Sequence, residues 1–207
     1  MAFQRRKPEA IGTKALFPGF IAPALASPIE KVPSGTRWIH EIKFDGYRIQ
    51  THIAHDEVKI YTRRGNDWTK RFKKVADDAW HISASSAIID GEIVVPLADG
   101  TTDFSVLQNE LRGKSTRIVM VAFDLLYLNG RDPRKLPLIE RKAVLKKLVS
   151  GTAIQFSESF EVDGPKCSPM PASSAMRAWC RRWQIACIRP VPAAATGSRR
   201  PAPSARH

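Results

Sequence analysis

Five segments in the central part of the chain carry the apolar patterns of β-strands, and they restrict it to a fold built on sheets. Three of them alternate apolar and polar residues, as half-buried strands do: RWIHEIK, YRIQTHIA and EVKIYTRR. Two are denser apolar runs, typical of interior strands: SAIIDGEIVVP and RIVMVAFDLLYL. We therefore predict a globular domain whose core lies against a sheet.

Three helices are predicted between these strands. Residues 67–80 place five apolar side chains on one helical face, which indicates core packing: Trp68, Phe72, Val75, Ala76 and Ala79. Asp103 can cap FSVLQNELR, and Pro137 opens LIERKAVLKKLV as the first helical residue. Strands and helices together indicate a globular α/β region over about residues 38–160.

Charge and hydropathy narrow the functional class. The net charge of +13 and the pI near 10.1 suit a polyanionic partner such as DNA, RNA or an anionic membrane surface. No stretch approaches the ~20 apolar residues of a membrane span, and residues 1–10 lack the apolar core of a secretory signal. We expect a cytoplasmic protein with no membrane partner and, by default, a monomer. The three cysteines fit no common zinc spacing.

Composition divides the chain into three parts. Residues 1–35 are rich in proline near their centre and are predicted to form an irregular arm that packs on the domain. Residues 36–163 hold the globular pattern. Residues 164–207 contain no Asp or Glu and carry +8 of the net +13, together with seven of the 15 prolines. Such a Pro, Ala and Arg mixture predicts a largely disordered tail.

The sharpest motif is HEIKFDGYR at residues 40–48, which contains Lys-x-Asp-Gly-x-Arg at the end of a predicted strand. An Asp-Gly turn can expose Lys43, and an amine attacks phosphorus only when deprotonated, in a site that favours its neutral form. Arg48 could return to the ribose or phosphate side of a nucleotide. Alone, the motif is equally compatible with a surface turn.

Three further motifs follow in order. YTRRG at residues 61–65 presents Arg63 at a strand end, where the alternative is an exposed, solvated cation. IIDGEIVV at residues 88–95 places Glu92 within an apolar strand, which is costly unless the carboxylate is paired or ligating. VAFDLLYLNG at residues 121–130 contains Phe123, which by itself indicates only core packing.

These four motifs together resemble those of ATP-dependent DNA ligases of the bacterial repair type. The resemblance covers about residues 20–163 and implies an α+β adenylation fold, with antiparallel sheets flanked by helices. It implies that Lys43 is the nucleophile that carries AMP, with ATP and Mg²⁺ or Mn²⁺ as cofactors. It implies nicked double-stranded DNA as substrate and, by analogy, end-joining repair proteins as partners.

The resemblance also assigns the other residues. Arg63 would meet a phosphate of AMP or of the nicked strand, and Phe123 would stack on adenine. Glu92 would contact ribose and help to place the metal. Glu41 would line the adenine pocket, partly through its backbone.

The chain departs from the family pattern after residue 163. Two later motifs, resembling Glu-Gly-Val-Val-Ser-Lys and Trp-Val-Lys-Lys, do not appear in residues 164–207, and we expect the OB-fold domain that follows in family members to be lost with them. When the codons are read one nucleotide upstream, residues 176–182 and 196–201 permit both motifs in order. We therefore hypothesise a frameshift near residues 162–165, and we expect weak self-adenylation and little strand sealing.

Two rival functions remain open from the sequence. An RNA ligase or an RNA-capping guanylyltransferase would share the lysine chemistry but act on RNA or use GTP. An inactive, basic remnant that binds nucleic acid would bind DNA in a salt-sensitive way without forming a covalent nucleotide.

Overall fold

The computed structural model describes residues 11–24, 39–113 and 116–160, together with the backbone of residues 184–188. Ten strands and three helices lie in these ranges. The strands are β1 (Thr13–Lys14), β2 (Ile39–Lys43), β3 (Tyr47–Ala54), β4 (Glu57–Thr62), β5 (Ala87–Val94), β6 (Val119–Leu128), β7 (Arg131–Asp132), β8 (Gln155–Phe156), β9 (Ser159–Phe160) and β10 (Gln184–Ile188). The helices are α1 (Lys73–Ala79), α2 (Phe104–Glu110) and α3 (Leu138–Val149).

The strands form two sheets. The large sheet has the order β1-β7-β6-β5-β3-β4, with β8 added in parallel to β6, and the small sheet has the order β10-β2-β9. All other pairings are antiparallel. This arrangement confirms the predicted α+β class with antiparallel sheets and flanking helices.

The main core lies between one face of the large sheet and the helices. Phe72, Leu107 and Leu145 are fully buried there against strand residues such as Ile49 and Ile89. The interior strand β5 is buried on both faces, because Ile88 on its other face packs with Leu126 and Tyr127. Its dense apolar sequence reflects that two-sided burial.

Residues 11–24 cover this second face. Phe17 packs edge-on against Tyr127 with ring centroids 5.2 Å apart, and the Tyr127 hydroxyl donates to the Ala15 carbonyl over 3.0 Å. The Ile21 backbone N–H donates to the Gln50 side-chain oxygen over 3.2 Å, while the Gln50 amide nitrogen donates to the Ile21 carbonyl. A side-chain amide thus pairs with the backbone as a neighbouring strand would.

The helix boundaries differ from the sequence prediction in two places. Helix α1 begins at Lys73 because residues 69–72 form turns, although Trp68 and Phe72 still pack against the core. Pro137 is the N-cap of α3 and not its first helical residue, since its ψ of 142° is extended and its carbonyl accepts the N–H of Glu140. The predicted Asp103 cap of α2 is confirmed, with bonds of 2.7 Å from the Ser105 N–H and 3.2 Å from the Val106 N–H.

Within the stretch predicted to be disordered, residues 184–188 form β10 and pair antiparallel with β2. Their sequence, QIACI, is a short apolar run that can supply such a strand. Residues 176–182 and 196–201, on which the frameshift hypothesis depends, lie outside the described residues. No helix in the described part of the chain is long and apolar enough to cross a membrane.

Candidate active site

Lys43 is the last residue of β2, and its side chain is exposed. The turn that follows is held by two backbone N–H groups. That of Asp45 donates to the Thr102 hydroxyl over 2.9 Å, and that of Gly46 donates to Glu92 Oε1 over 3.0 Å. The Lys-x-Asp-Gly motif is therefore a bonded turn between the small and the large sheet.

Gly46 is required by close backbone packing. A Cβ atom at this position would lie 2.1 Å from the Ile93 carbonyl oxygen and 3.0 Å from Glu92 Cγ. No larger residue fits without moving β5. The glycine thus lets the turn that follows Lys43 lie against β5 at Glu92.

Glu92 lies in β5, where it is paired with Arg48 on β3 and with Val121 on β6. Burial raises the pKa of Glu92 to about 7, against its ordinary value of 4.5. The Gly46 N–H and the charges of Arg48 and Lys43 oppose this rise in pKa. Glu92 therefore faces both cations of the motif and can exchange a proton near neutral pH.

Arg48 is fixed on three sides. Its Nε and Nη2 atoms donate to the two carboxylate oxygens of Asp90 over 3.2 and 2.8 Å, and its Nη1 donates to the Ala24 carbonyl over 2.7 Å. Burial lowers the pKa of Arg48, but the bonds and charge of Asp90 outweigh it, so the pKa is raised overall. The guanidinium has one orientation, set by the N-terminal residues and by β5.

Phe123 is half-buried on β6, and its ring centroid lies 5.4 Å from Arg48 Cζ. This cation–π contact joins the ring to the Arg48–Asp90 pair. Glu41, in contrast, directs its side chain into the protein, where its carboxylate contacts the ammonium of Lys142. Only the backbone of Glu41 is therefore left to line a pocket.

Beside these residues lies a cavity of about 640 Å³. Its walls are Gly46, Tyr47, Arg48, Thr62, Arg63, Arg64, Asn66, Trp68, Glu92 and Phe104. Three of the six predicted site residues, Arg48, Arg63 and Glu92, thus share one cavity. Lys43, Glu41 and Phe123 lie outside its walls. Lys43 is nevertheless close enough to Glu92 to affect its pKa, and Phe123 contacts Arg48.

Sequence comparison decides the family. Residues 22–167 match the family model described as the ATP dependent DNA ligase domain. The chain belongs to the ATP-dependent DNA ligase family. The family is one of enzymes, and the resemblance drawn from the four motifs is confirmed.

Similar proteins within the family are end-joining ligases. The multifunctional non-homologous end joining protein LigD of Pseudomonas aeruginosa is 40% identical over 141 residues, which cover 68% of this chain and 17% of that protein. A solved mycobacterial DNA ligase D complexed with ATP and MES matches with a TM-score of 0.66 and 28% identity, over 83% of this chain and 55% of that one. The ligase domain of Mycobacterium tuberculosis LigD matches with a TM-score of 0.61 at 28% identity, over 77% and 51% of the two chains. The chain thus spans about half of the solved ligase domains.

Several residues of this ligase-family site were missed from the sequence. Asp90 could have been found, because it is an acid in the same apolar strand as Glu92 and therefore needs a partner. The sequence indicated no functional role for Thr102, nor any role other than core packing for the aromatic residues Tyr47, Trp68 and Phe104. Lys142 looked like an ordinary cation of an amphipathic helix, yet it is buried.

Proposed function

We propose that this chain forms a covalent lysyl-AMP on Lys43, in low yield because two later motifs are missing, and that nicked DNA is the substrate to which this intermediate is directed. The observation that carries the proposal is the placement of Lys43 at the exposed end of β2, on the turn whose Gly46 N–H donates to Glu92, the cross-strand neighbour of Arg48. A nucleophile, a carboxylate and an oriented cation are brought together by one bonded turn.

In the first step the Lys43 nitrogen attacks the α-phosphorus of ATP. The N–P bond forms as the P–O bond to the leaving pyrophosphate breaks, and the proton released from the nitrogen of the exposed Lys43 passes to solvent. Positioning and charge neutralisation do most of the work in such phosphoryl transfer. Arg48, held by Asp90 and Ala24, is preorganised to present its charge to the nucleotide without reorienting.

Arg48 lies over one face of the Phe123 ring, and we assign the opposite face to adenine. The backbone of Glu41 lies on the same strand as Lys43, two residues earlier. Glu92 would then contact the ribose, as the resemblance implies. The proposal thus retains the roles predicted for Phe123, Glu41 and Glu92.

The residues also suit a nucleotide-bound metal ion. No three His, Cys, Asp or Glu side chains come together in the described ranges to form a protein-only metal cage. Glu92 supplies one carboxylate, and Mg²⁺ characteristically combines one or two carboxylates with phosphate oxygens of the substrate. When bound there, Mg²⁺ or Mn²⁺ would offset charge on the phosphate oxygens during transfer.

Nicked DNA is the proposed acceptor of AMP. Arg63 and Arg64 are exposed at the cavity, beside the half-buried Trp68, and exposed cations next to aromatic rings suit a phosphate backbone and its bases. AMP would pass to a 5′-phosphate, and a 3′-hydroxyl would then displace it. A role with other end-joining proteins is proposed from the names of the similar proteins alone.

The test is retention of α-labelled phosphate after denaturation, with the purified chain incubated with Mg²⁺ and either ATP or GTP. We expect label from ATP in the wild-type chain and in Lys59→Ala, whose lysine pairs with Glu57 on the surface. Lys43→Ala should lose the label. Label that survives in Lys43→Ala, or a folded wild-type chain without label, would refute the proposal, and label from GTP would favour the capping chemistry.

A further inference from the structure

The ammonium of Lys142 is buried where three separate parts of the fold meet. Its side chain is 3% exposed, and it contacts the carboxylate of Glu41, which is 5% exposed. It also donates to the Ser157 carbonyl over 2.8 Å and to the Phe123 carbonyl over 3.3 Å. One nitrogen thus binds β2, β6 and the segment between β8 and β9.

This point is a junction between the two sheets. Strand β2 belongs to the small sheet and β6 to the large one, and no backbone ladder joins the sheets within the described ranges. Ser157 lies where the chain leaves β8, which pairs with β6, and enters β9, which pairs with β2. Its N–H donates to the Ala122 carbonyl over 2.8 Å. Lys142 therefore bonds both sheets at the place where the chain crosses between them.

The neighbouring cation, Arg141, pairs with a different carboxylate. Arg141 donates to both carboxylate oxygens of Asp124 over 2.8 and 2.9 Å, which satisfies that acid within the large sheet and α3. Lys142 is thus the cation that forms an ion pair with Glu41. The Phe156 ring, with its centroid 4.8 Å from the ammonium, closes the remaining side of the site.

A gain in folding stability does not by itself explain why the Lys142–Glu41 ion pair is buried. Removing two charges from water is costly, and well-packed apolar residues of similar volume often stabilise a protein equally well or better. A buried ion pair does, however, fix direction, because each bond requires its partner at a particular position. The positions fixed here are those of β2 and of the Phe123 segment.

We propose that Lys142 is a positioning residue for the nucleotide. By holding Glu41 of β2 and the backbone of Phe123 to one nitrogen, it sets the spacing between the strand that ends in Lys43 and the ring that receives adenine. The inference rests on the proposed function, since it assumes that the base lies between these two elements. Lys142 acts through Glu41 and Phe123 and has no contact with the reacting atoms.

Three variants separate positioning from folding. Lys142→Met removes the ammonium but leaves Glu41 buried and unpaired, so it can fail to fold. Lys142→Met combined with Glu41→Met replaces the pair by apolar side chains of similar size, and we expect it to fold. Lys146→Met is the matched control, because Lys146 lies one turn later in α3, pairs with Glu158 at the surface and also contacts the Phe156 ring.

Two measurements are made on each full-length variant at a temperature where circular dichroism shows it folded. One is the dissociation constant for ATP by equilibrium dialysis, and the other is amide hydrogen exchange of residues 39–43 without nucleotide. For the double variant we expect ATP binding weaker by about 10-fold and faster exchange in β2 with unchanged exchange in β3 and β4. Lys146→Met should match the wild-type chain in both.

The double variant decides the matter. A stable double variant with wild-type ATP affinity would overturn the proposal, whatever its exchange, because the ion pair would then serve folding alone. If the wild-type chain bound no ATP, the proposed function would fail by itself. Exchange would then still decide whether Lys142 positions β2, and unchanged exchange in the double variant would refute it.

Discussion

Arg48 and Asp90 form a two-bonded ion pair across neighbouring strands, with Nε 3.2 Å and Nη2 2.8 Å from the two carboxylate oxygens. The Asp90 side chain is 4% exposed and that of Arg48 is 24% exposed. The pair links Arg48, the β3 end of the Lys-x-Asp-Gly-x-Arg motif, to the Asp-Gly-Glu motif of β5. Two motifs recognised separately in the sequence are therefore one electrostatic unit.

Asp90→Asn should lower the free energy of unfolding by about 2 kcal/mol, because the guanidinium keeps its burial but loses the opposing charge. Urea unfolding measures the change. Asp77→Asn is the control, since Asp77 pairs with Lys73 on the exposed face of α1 and should cost less than about 0.5 kcal/mol. Equal losses in the two variants would show that the Arg48–Asp90 pair has no special weight.

Glu92→Gln should change the pH dependence of stability. The folded chain keeps the Glu92 proton up to about pH 7, whereas the unfolded chain releases it near 4.5. Between these values the folded state binds more protons, so this group lowers the free energy of unfolding as pH rises, by up to about 3 kcal/mol in total. Glutamine does not titrate, so this decrease does not occur in Glu92→Gln. The free energy of unfolding of the variant, relative to that of the wild-type chain, should therefore increase from pH 5 to pH 8.

The measurement is the difference between the two urea unfolding curves at each pH. Taking the difference removes the contributions of Glu41 and Asp90, which are present in both proteins. The amide oxygen of the substituted side chain can still accept the Gly46 N–H, so the turn should persist. A difference that does not vary with pH would contradict the raised pKa of Glu92.

The strands and the family were predictable because their signals are local. Alternation in YRIQTHIA and the dense run around Ile88 each predicted a strand, and both strands form. The half-buried character predicted for YRIQTHIA is wrong, because Ile49–Ile53 are buried on both faces of β3. Asp103 caps α2 because a cap needs only the next three residues. The order of four motifs then restricted the family far more than any single residue could.

The connections between motifs were not predictable, since they depend on which strands pair. Nothing near Arg48 in the sequence indicates that it contacts both Asp90 and Ala24, which lie 42 and 24 residues away. The burial of Lys142 was hidden for the same reason, because a lysine in an amphipathic helix is ordinarily solvated. Its neighbours on β2 and β6 become visible only when the two sheets are assembled.

Gly46→Ala should destabilise the chain by about 2 kcal/mol or more, because its Cβ would clash with a carbonyl of β5 that cannot move independently. Nucleotide labelling of Lys43 should fall with it, since the same turn presents the lysine. Gly113→Ala is the control, as its Cβ would meet only the Glu110 carbonyl at 3.6 Å. If both alanines are tolerated alike, the turn is looser than its hydrogen bonds indicate.

Arg63→Ala should weaken binding to nicked DNA and reduce its salt dependence. Each phosphate neutralised by a cation adds about one unit to the slope of log affinity against log salt, so the loss of one contact should lower the slope by about 1. Lys73→Ala removes the same charge from α1, away from the cavity, and controls for net charge. Fluorescence anisotropy over a salt series on the full chain measures both slopes.

The Arg63→Ala substitution should leave the local turn intact, because the hydrogen bond from Arg63 to the Arg48 carbonyl is made by the backbone N–H. Equal slopes in the two variants would mean that DNA is attracted by overall charge, and the cavity would then not be its binding site.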